Sequence, residues 1–197
     1  MLIIVRHGRT EANARGLLLG HLDPDLDPEG EAQAAAAAAW LGPVARVVSS
    51  PLVRARRTAE AFGVDVELDE RWVELDYGSL DGTPVADVPA ETWAAWRADA
   101  DFAPPGGESH AQLRRRVVAA ATELLDDAAR SDVVVVTHVS PIKAVLGWVL
   151  DVPEAAAWRT RVGQPSISRI GVGAQGPVLV SFNECPPGSV AGPGLLP

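Results

Sequence analysis

Three stretches of the chain place residues that could do chemistry together. "LIIVRHG" sets Arg6 and His7 directly behind four apolar residues, "SSPLVRARR" carries Ser50 and Arg54, and "VVVVTHVS" ends four valines in Thr137, His138 and Ser140. A guanidinium stays charged at any working pH, and its planar fork matches the spacing of phosphate oxygens. A histidine beside such cations has its protonated form disfavoured, so a neutral imidazole is available as a nucleophile near neutral pH. The combination is that of a pocket for a phosphoryl group with a nucleophile inside it.

Those residues lie far apart in sequence, so secondary elements must bring them together. Residues 2–6 and 132–138 are continuous apolar runs, the kind expected of buried strands in a parallel sheet. Further strands are predicted at 44–50, 64–68, 166–173 and 177–183. Helices are predicted at 28–42, 51–63, 91–98, 110–131 and 141–151. The first has Pro28 and two glutamates at its start and Gly42-Pro43 at its end. Ser50 is the expected cap of the second, Ser109 of the fourth, and Pro141 falls in the first turn of the fifth. Residues 69–89 read as loop. Strands alternating with helices predict one α/β domain with a mainly parallel sheet, residues 1–185, followed by a Pro/Gly-rich irregular tail at 186–197. In such a sheet the carboxyl ends of the strands face one crevice. Arg6, His7, Arg54 and His138 then converge there, and the helix starting near Ser140 adds its positive end.

Composition narrows the function classes. The 197 residues are 47% apolar and 22% charged, with a net charge of -9. That balance is globular, and its sign argues against a nucleic-acid or anionic-membrane binder. It leaves room for an anionic substrate, because a local arginine cluster such as Arg54, Arg56 and Arg57 can bind phosphate within an acidic protein. Cys185 is the only cysteine, which excludes an intramolecular disulfide and C-x-x-C metal sites. The N-terminal apolar run is too short for a signal peptide, and no stretch approaches the ~18–20 apolar residues of a membrane span. A cytoplasmic domain is expected. His21 and His110, taken with His7 and His138, fit no metal-ligand spacing, so no metal is expected. The six tryptophans read as core and pocket walls, with Trp93 and Trp96 in the segment that should cap the crevice.

The sequence also resembles the histidine phosphatase superfamily, which includes cofactor-dependent phosphoglycerate mutases. "RHGRTEAN" is similar to R-H-G-x-T-x-x-N, with Arg6, His7, Gly8, Thr10 and Asn13 at matching positions. "SSPLVRARRTAE", "VELDYGSLDG", "PPGGES" and "VVVVTHVSPIK" resemble further family elements in the same order. The resemblance implies a three-layer α/β/α sandwich of the phosphoglycerate mutase type and a phosphohistidine mechanism needing no cofactor or metal. In it His7 is the nucleophile, Arg6, Arg54 and His138 hold phosphate oxygens, and Glu74 is the proton donor. Asn13 is a phosphate contact or a helix cap with Thr10. Ser140 is a cap, a ligand contact or both, and Tyr77 lines the pocket or packs on its rim. Gly20, behind Leu19, falls where substrate contacts are common in mutases. Three departures stand out: Val139 where glycine is frequent, Lys143 where arginine is frequent, and apolar Leu19.

The partner so implied is a small phosphorylated metabolite, with neither nucleic acid nor membrane, and dimers occurring in the family make a homodimer an expectation. The P-G-G-E-S loop and the modest separation of Glu74 from His138 favour hydrolysis over a mutase. Two specific substrates compete, α-ribazole phosphate on "THVSPIK" and glucosyl-phosphoglycerate on the P-G-G-E-S loop. A non-catalytic binder of phosphorylated ligands is the remaining class, and the complete catalytic set counts against it.

Overall fold

Continuous apolar strands are stable where both faces of a sheet are covered, and the computed structural model has them so covered. The structure describes residues 1–186. In chain order the elements are β1 (Leu2–Arg6), α1 (Glu11–Ala14), α2 (Pro28–Leu41), β2 (Arg46–Ser49), α3 (Val53–Glu60), β3 (Val66–Leu68), α4 (Ala90–Ala98), α5 (His110–Glu123), α6 (Leu125–Arg130), β4 (Val133–Thr137), α7 (Val139–Val149), α8 (Glu154–Ala157), β5 (Ser166–Gly173) and β6 (Gly176–Glu184). The strands form one sheet in the order β3-β2-β4-β1-β5-β6. The first four run parallel, while β5 is antiparallel to β1 and β6 to β5.

Alternate side chains of the same strands feed two cores. Leu2, Ile4, Val133 and Val135 pack with Leu113 and Val117 of α5 and Ile142 and Val145 of α7. Ile3, Val5, Val134 and Val136 face the other way, onto Ala37 of α2 and Ala55 and Ala59 of α3. The result is the expected three-layer α/β/α sandwich with a mainly parallel sheet. A smaller cluster joins Trp96 of α4 to Leu18 and Val88, backed by Trp93, Phe102 and Trp158. Among the described residues no helix is long and apolar enough to cross a membrane.

Several boundaries differ from the sequence expectation. The helix expected at 51–63 is only Val53–Glu60, and its N-cap is Leu52 rather than Ser50. The Ser50 hydroxyl is engaged by His138, at 2.8 Å, and is only 3.3 Å from the Leu52 N–H. The helix expected at 110–131 breaks into α5 and α6 at Leu124, whose N–H bonds three residues back to the Ala121 carbonyl in a tightened last turn. The loop at 69–89 holds 3₁₀ turns at Glu70–Trp72, Gly78–Leu80 and Val85–Asp87. Helix α7 starts two residues early, at Val139 with His138 as N-cap, so Pro141 remains within the first turn, where it withholds no needed donor. Of the tail expected at 186–197, residues 187–197 lie outside the described residues.

Candidate active site

The parallel register brings the motif residues to one edge. Arg6 is level with Thr137, the His7 N–H bonds the Thr137 carbonyl at 3.0 Å, and the Ser50 N–H bonds the Val136 carbonyl at 3.0 Å. Three strand ends thereby deliver Arg6-His7, Ser50 and His138 side by side. Beyond His7 the chain turns tightly. The Gly8 N–H donates to Thr58 Oγ1 at 2.9 Å, and a Cβ on Gly8 would collide with the Gly30 carbonyl at the start of α2. Glycine is required there by close approach of two backbones. Thr10 and Asn13 then close a capping box that starts α1.

The His7 ring is fixed in one tautomer. Its Nδ1 lies 2.7 Å from the Gly8 carbonyl oxygen, which can only accept, so Nδ1 carries the proton and Nε2 keeps the lone pair. His7 is 3% exposed, and its ring centre is 5.0 Å from that of fully buried His138. Burial pushes the pKa of both imidazoles well below the ordinary value, and Arg54 and Arg6 push in the same direction. Burial also lowers Arg6, to about 10, against the opposing field of Glu74. Arg54 is wholly buried; it donates to the Leu22 carbonyl at 2.8 Å and the Gly20 carbonyl at 2.7 Å. Three buried nitrogens of this group, Arg6 Nε, Arg54 Nε and His138 Nδ1, have no hydrogen-bond partner.

Glu74 is 4% exposed and sits on the N-terminus of α7. Its carboxylate accepts from the N–H groups of Leu75 (2.8 Å), Val139 (3.1 Å) and Ser140 (3.1 Å). The positive helix end and these donors fix both oxygens. Glu74 lines a cavity of about 210 Å³ together with Arg6 and His7. Aromatic side chains, among them Trp93, Trp96 and Trp158, line the same cavity, as do Lys143, Arg114 and Arg161. The Lys143 ammonium lies 5.6 Å from the Trp158 ring centre; burial lowers its pKa, with Glu74 opposing.

Other expected site residues fall into place unevenly. Asn13 lines the cavity, but its Oδ1 already accepts from Thr10 and from Gln164 Nε2 at 3.0 Å. Tyr77 is in the cavity wall, edge-on to Trp96, with its hydroxyl 3.4 Å from Ser140 Oγ. Val139 lines the same cavity and presents its N–H to Glu74. Gly20 is not in the wall; its carbonyl anchors Arg54, and a Cβ there would meet the Leu75 carbonyl at 2.7 Å. The expected arginine cluster is not one: Arg54 points inward, whereas Arg56 is half-buried, Arg57 is exposed, and both pair with Glu60. Sequence reasoning missed the segment from Thr160 to Gln164. The Arg6 guanidinium donates to the Val162 carbonyl at 2.9 Å, and Gln164 Nε2 reaches the Gly8 carbonyl at 3.2 Å. No local pattern marks it: β5 runs antiparallel to β1, so residues just before β5 meet residues just after β1, and that direction is set by the sheet as a whole. Among the described residues no group of three or more His, Cys, Asp or Glu is arranged to hold a metal ion.

Comparison with known proteins agrees with this geometry. The model of the histidine phosphatase superfamily (branch 1) matches residues 2–185. The bifunctional protein Rv2228c of Mycobacterium tuberculosis is 36% identical over 177 residues, which cover 85% of this chain and 49% of that protein. The chain thus spans about half the length of the mycobacterial relatives it matches. The probable phosphoglycerate mutase GpmB of Salmonella paratyphi B is 36% identical over 179 residues, covering 85% of this chain and 82% of the relative. The solved mycobacterial glucosyl-3-phosphoglycerate phosphatase Rv2419c superposes with a TM-score of 0.81 at 30% identity, over 92% of this chain and 97% of its own.

Proposed function

This chain belongs to the histidine phosphatase superfamily, branch 1, and from that premise we propose that it is a metal-independent phosphomonoesterase acting through a phosphohistidine on His7. The observation that carries the reading is the His7 ring: neutral by burial and by two arginines, with Nδ1 tied to the Gly8 carbonyl and Nε2 left as the only lone pair. Such a nitrogen is a nucleophile held ready.

The chemistry follows from the neighbouring side chains. Nε2 attacks phosphorus and the ester P–O bond breaks. Arg6, Arg54 and His138 stabilise the equatorial oxygens, for which the partnerless Arg6 Nε, Arg54 Nε and His138 Nδ1 are candidate donors. Glu74 acts as the general acid on the leaving oxygen, which takes the proton and departs as an alcohol. Water then attacks the phosphohistidine and surrenders a proton to the Glu74 carboxylate. The P–N bond breaks, inorganic phosphate leaves, and His7 returns to its starting form. Ser140 and Tyr77 shape the wall beside this path, and Asn13 holds the Gln164 side chain at its edge.

The substrate we infer is a small phosphorylated metabolite, with glucosyl-phosphoglycerate and α-ribazole phosphate as the first to try. Mutase-type transfer is the second reading, favoured by the likeness to the Salmonella protein; in it the phosphohistidine is returned to a substrate hydroxyl instead of water. Phosphate release from a panel of small phosphomonoesters, in excess EDTA and beside His7→Ala, tests both. Turnover is expected to persist in EDTA and to fall by about 10⁴-fold or more in the variant. Activity lost to EDTA, or kept by His7→Ala, refutes the reading; phosphoryl transfer without phosphate release favours the mutase.

A further inference from the structure

Glu74 is carried by backbone that belongs to no strand, yet each carbonyl of residues 71–74 is bonded. Thr137 Oγ1 donates to the Trp72 carbonyl at 2.6 Å. The other three are taken by one side chain, Arg116 of α5: Nη1 donates to the carbonyls of Arg71 (2.8 Å) and Val73 (2.7 Å), and Nη2 to that of Glu74 (3.1 Å). The remaining donors of the same guanidinium go to Glu108, Nε to Oε1 at 2.8 Å and Nη2 to Oε2 at 2.7 Å. A guanidinium has five N–H donors in a fixed plane, and here there are five acceptors for them. His21 Nε2 adds a contact to the Glu74 carbonyl at 3.1 Å.

Glu108 lies in the P-G-G-E-S loop, to which the proposed chemistry gives no role. That loop is itself pressed against the backbone just past Glu74. The Glu108 N–H donates to the Asp76 carbonyl at 2.9 Å, and a Cβ on Gly107 would lie 2.5 Å from that same carbonyl oxygen. Loop, arginine and acid-bearing segment therefore form one connected unit, with both partners of the Arg116–Glu108 pair mostly buried.

We propose that Arg116, oriented by Glu108, is a positioning residue for proton donation by Glu74, and that this is what the P-G-G-E-S loop is for. Arg116 acts through the backbone of residues 71–74. It sets where the Glu74 carboxyl stands relative to the leaving oxygen, a placement in which about 1 Å of error costs roughly 10²-fold in rate. Lysine cannot substitute, since a compact ammonium with three donors cannot reach three carbonyls and a carboxylate in one plane.

The inference rests on the proposed phosphatase reading, and leaving-group dependence separates the two. An alkyl oxygen must be protonated as it leaves, whereas p-nitrophenolate departs unprotonated. The constant to compare is kcat/KM, which reports formation of the phosphoenzyme, for p-nitrophenyl phosphate and for the alkyl phosphate that wild type hydrolyses best. Arg116→Lys and Glu108→Gln are each expected to lower kcat/KM for the alkyl ester by about 10²-fold and for the aryl ester by less than about tenfold. Equal losses on both esters, or no loss on either, in variants with wild-type circular dichroism overturn the positioning role. Should Arg116→Lys fail to fold, Glu108→Gln alone decides, because it keeps the shape of the pair and one acceptor. Wild type inactive on every ester would instead refute the phosphatase reading on which the inference stands.

Discussion

His7 and His138 are buried neutral, and that should make the fold sensitive to mild acid. As pH falls through the ordinary imidazole value of 6.5, the unfolded chain binds a proton at each ring. The folded chain does not, because burial and the fields of Arg54 and Arg6 hold both rings well below that value. The unfolded state binds more protons, so stability rises with pH across this window and is lost on acidification. Between about pH 7.5 and 5.5, a ring that stays neutral only in the folded state costs roughly 1–2 kcal/mol, and the pair roughly 2–3 kcal/mol. That is a large share of the ~5–15 kcal/mol that holds a domain together. Carboxylates whose pKa is lowered by arginine partners, Asp69 and Glu67 among them, lose their contribution only below this range. Urea unfolding of wild type and His7→Gln in phosphate-free buffer at both pH values measures the effect. Wild type should lose roughly 2–3 kcal/mol and the variant about half of that. Stability that is flat with pH, or a variant that keeps the whole loss, would show that these rings are not held neutral by the fold.

Two more outcomes follow from the packing around the site. Gly8→Ala drives a Cβ into the Gly30 carbonyl, backbone against backbone, and should destabilise by about 1–3 kcal/mol, read as a drop in Tm of about 2–4 °C per kcal/mol; an unchanged Tm would mean that the turn after His7 is free to move. Lys143→Met removes the ammonium that lines the cavity beside Trp158, and should raise KM about tenfold for phosphoesters bearing a second anionic group while affecting phenyl phosphate less. Equal effects on the two classes, measured by steady-state kinetics, would remove Lys143 from substrate selection.

What could be read from the sequence divides along a physical line. Short apolar runs rich in β-branched residues, such as LIIV and VVVV, favour buried strands, so the sheet and the meeting of Arg6, His7 and His138 at its edge follow from local pattern. Helix starts were legible where Pro28 opens α2 and Ser109 caps α5, and misread at Ser50, whose hydroxyl is engaged by a histidine 88 residues away. The antiparallel arrival of β5 decides that residues 160–164 reach the cavity, and strand direction leaves no mark on an apolar run. Glu74 could be matched only through family likeness, for a related reason. The backbone of residues 71–74 is ordered by side chains, Arg116 and Thr137, that arrive from 42 to 65 residues further along the chain. No periodicity of its own announces such a segment, because the groups that satisfy its carbonyls are not in it. A proton donor built this way is only as well placed as its distant partners. The leaving-group dependence of Arg116 and Glu108 variants is therefore a test of the site as much as of the loop.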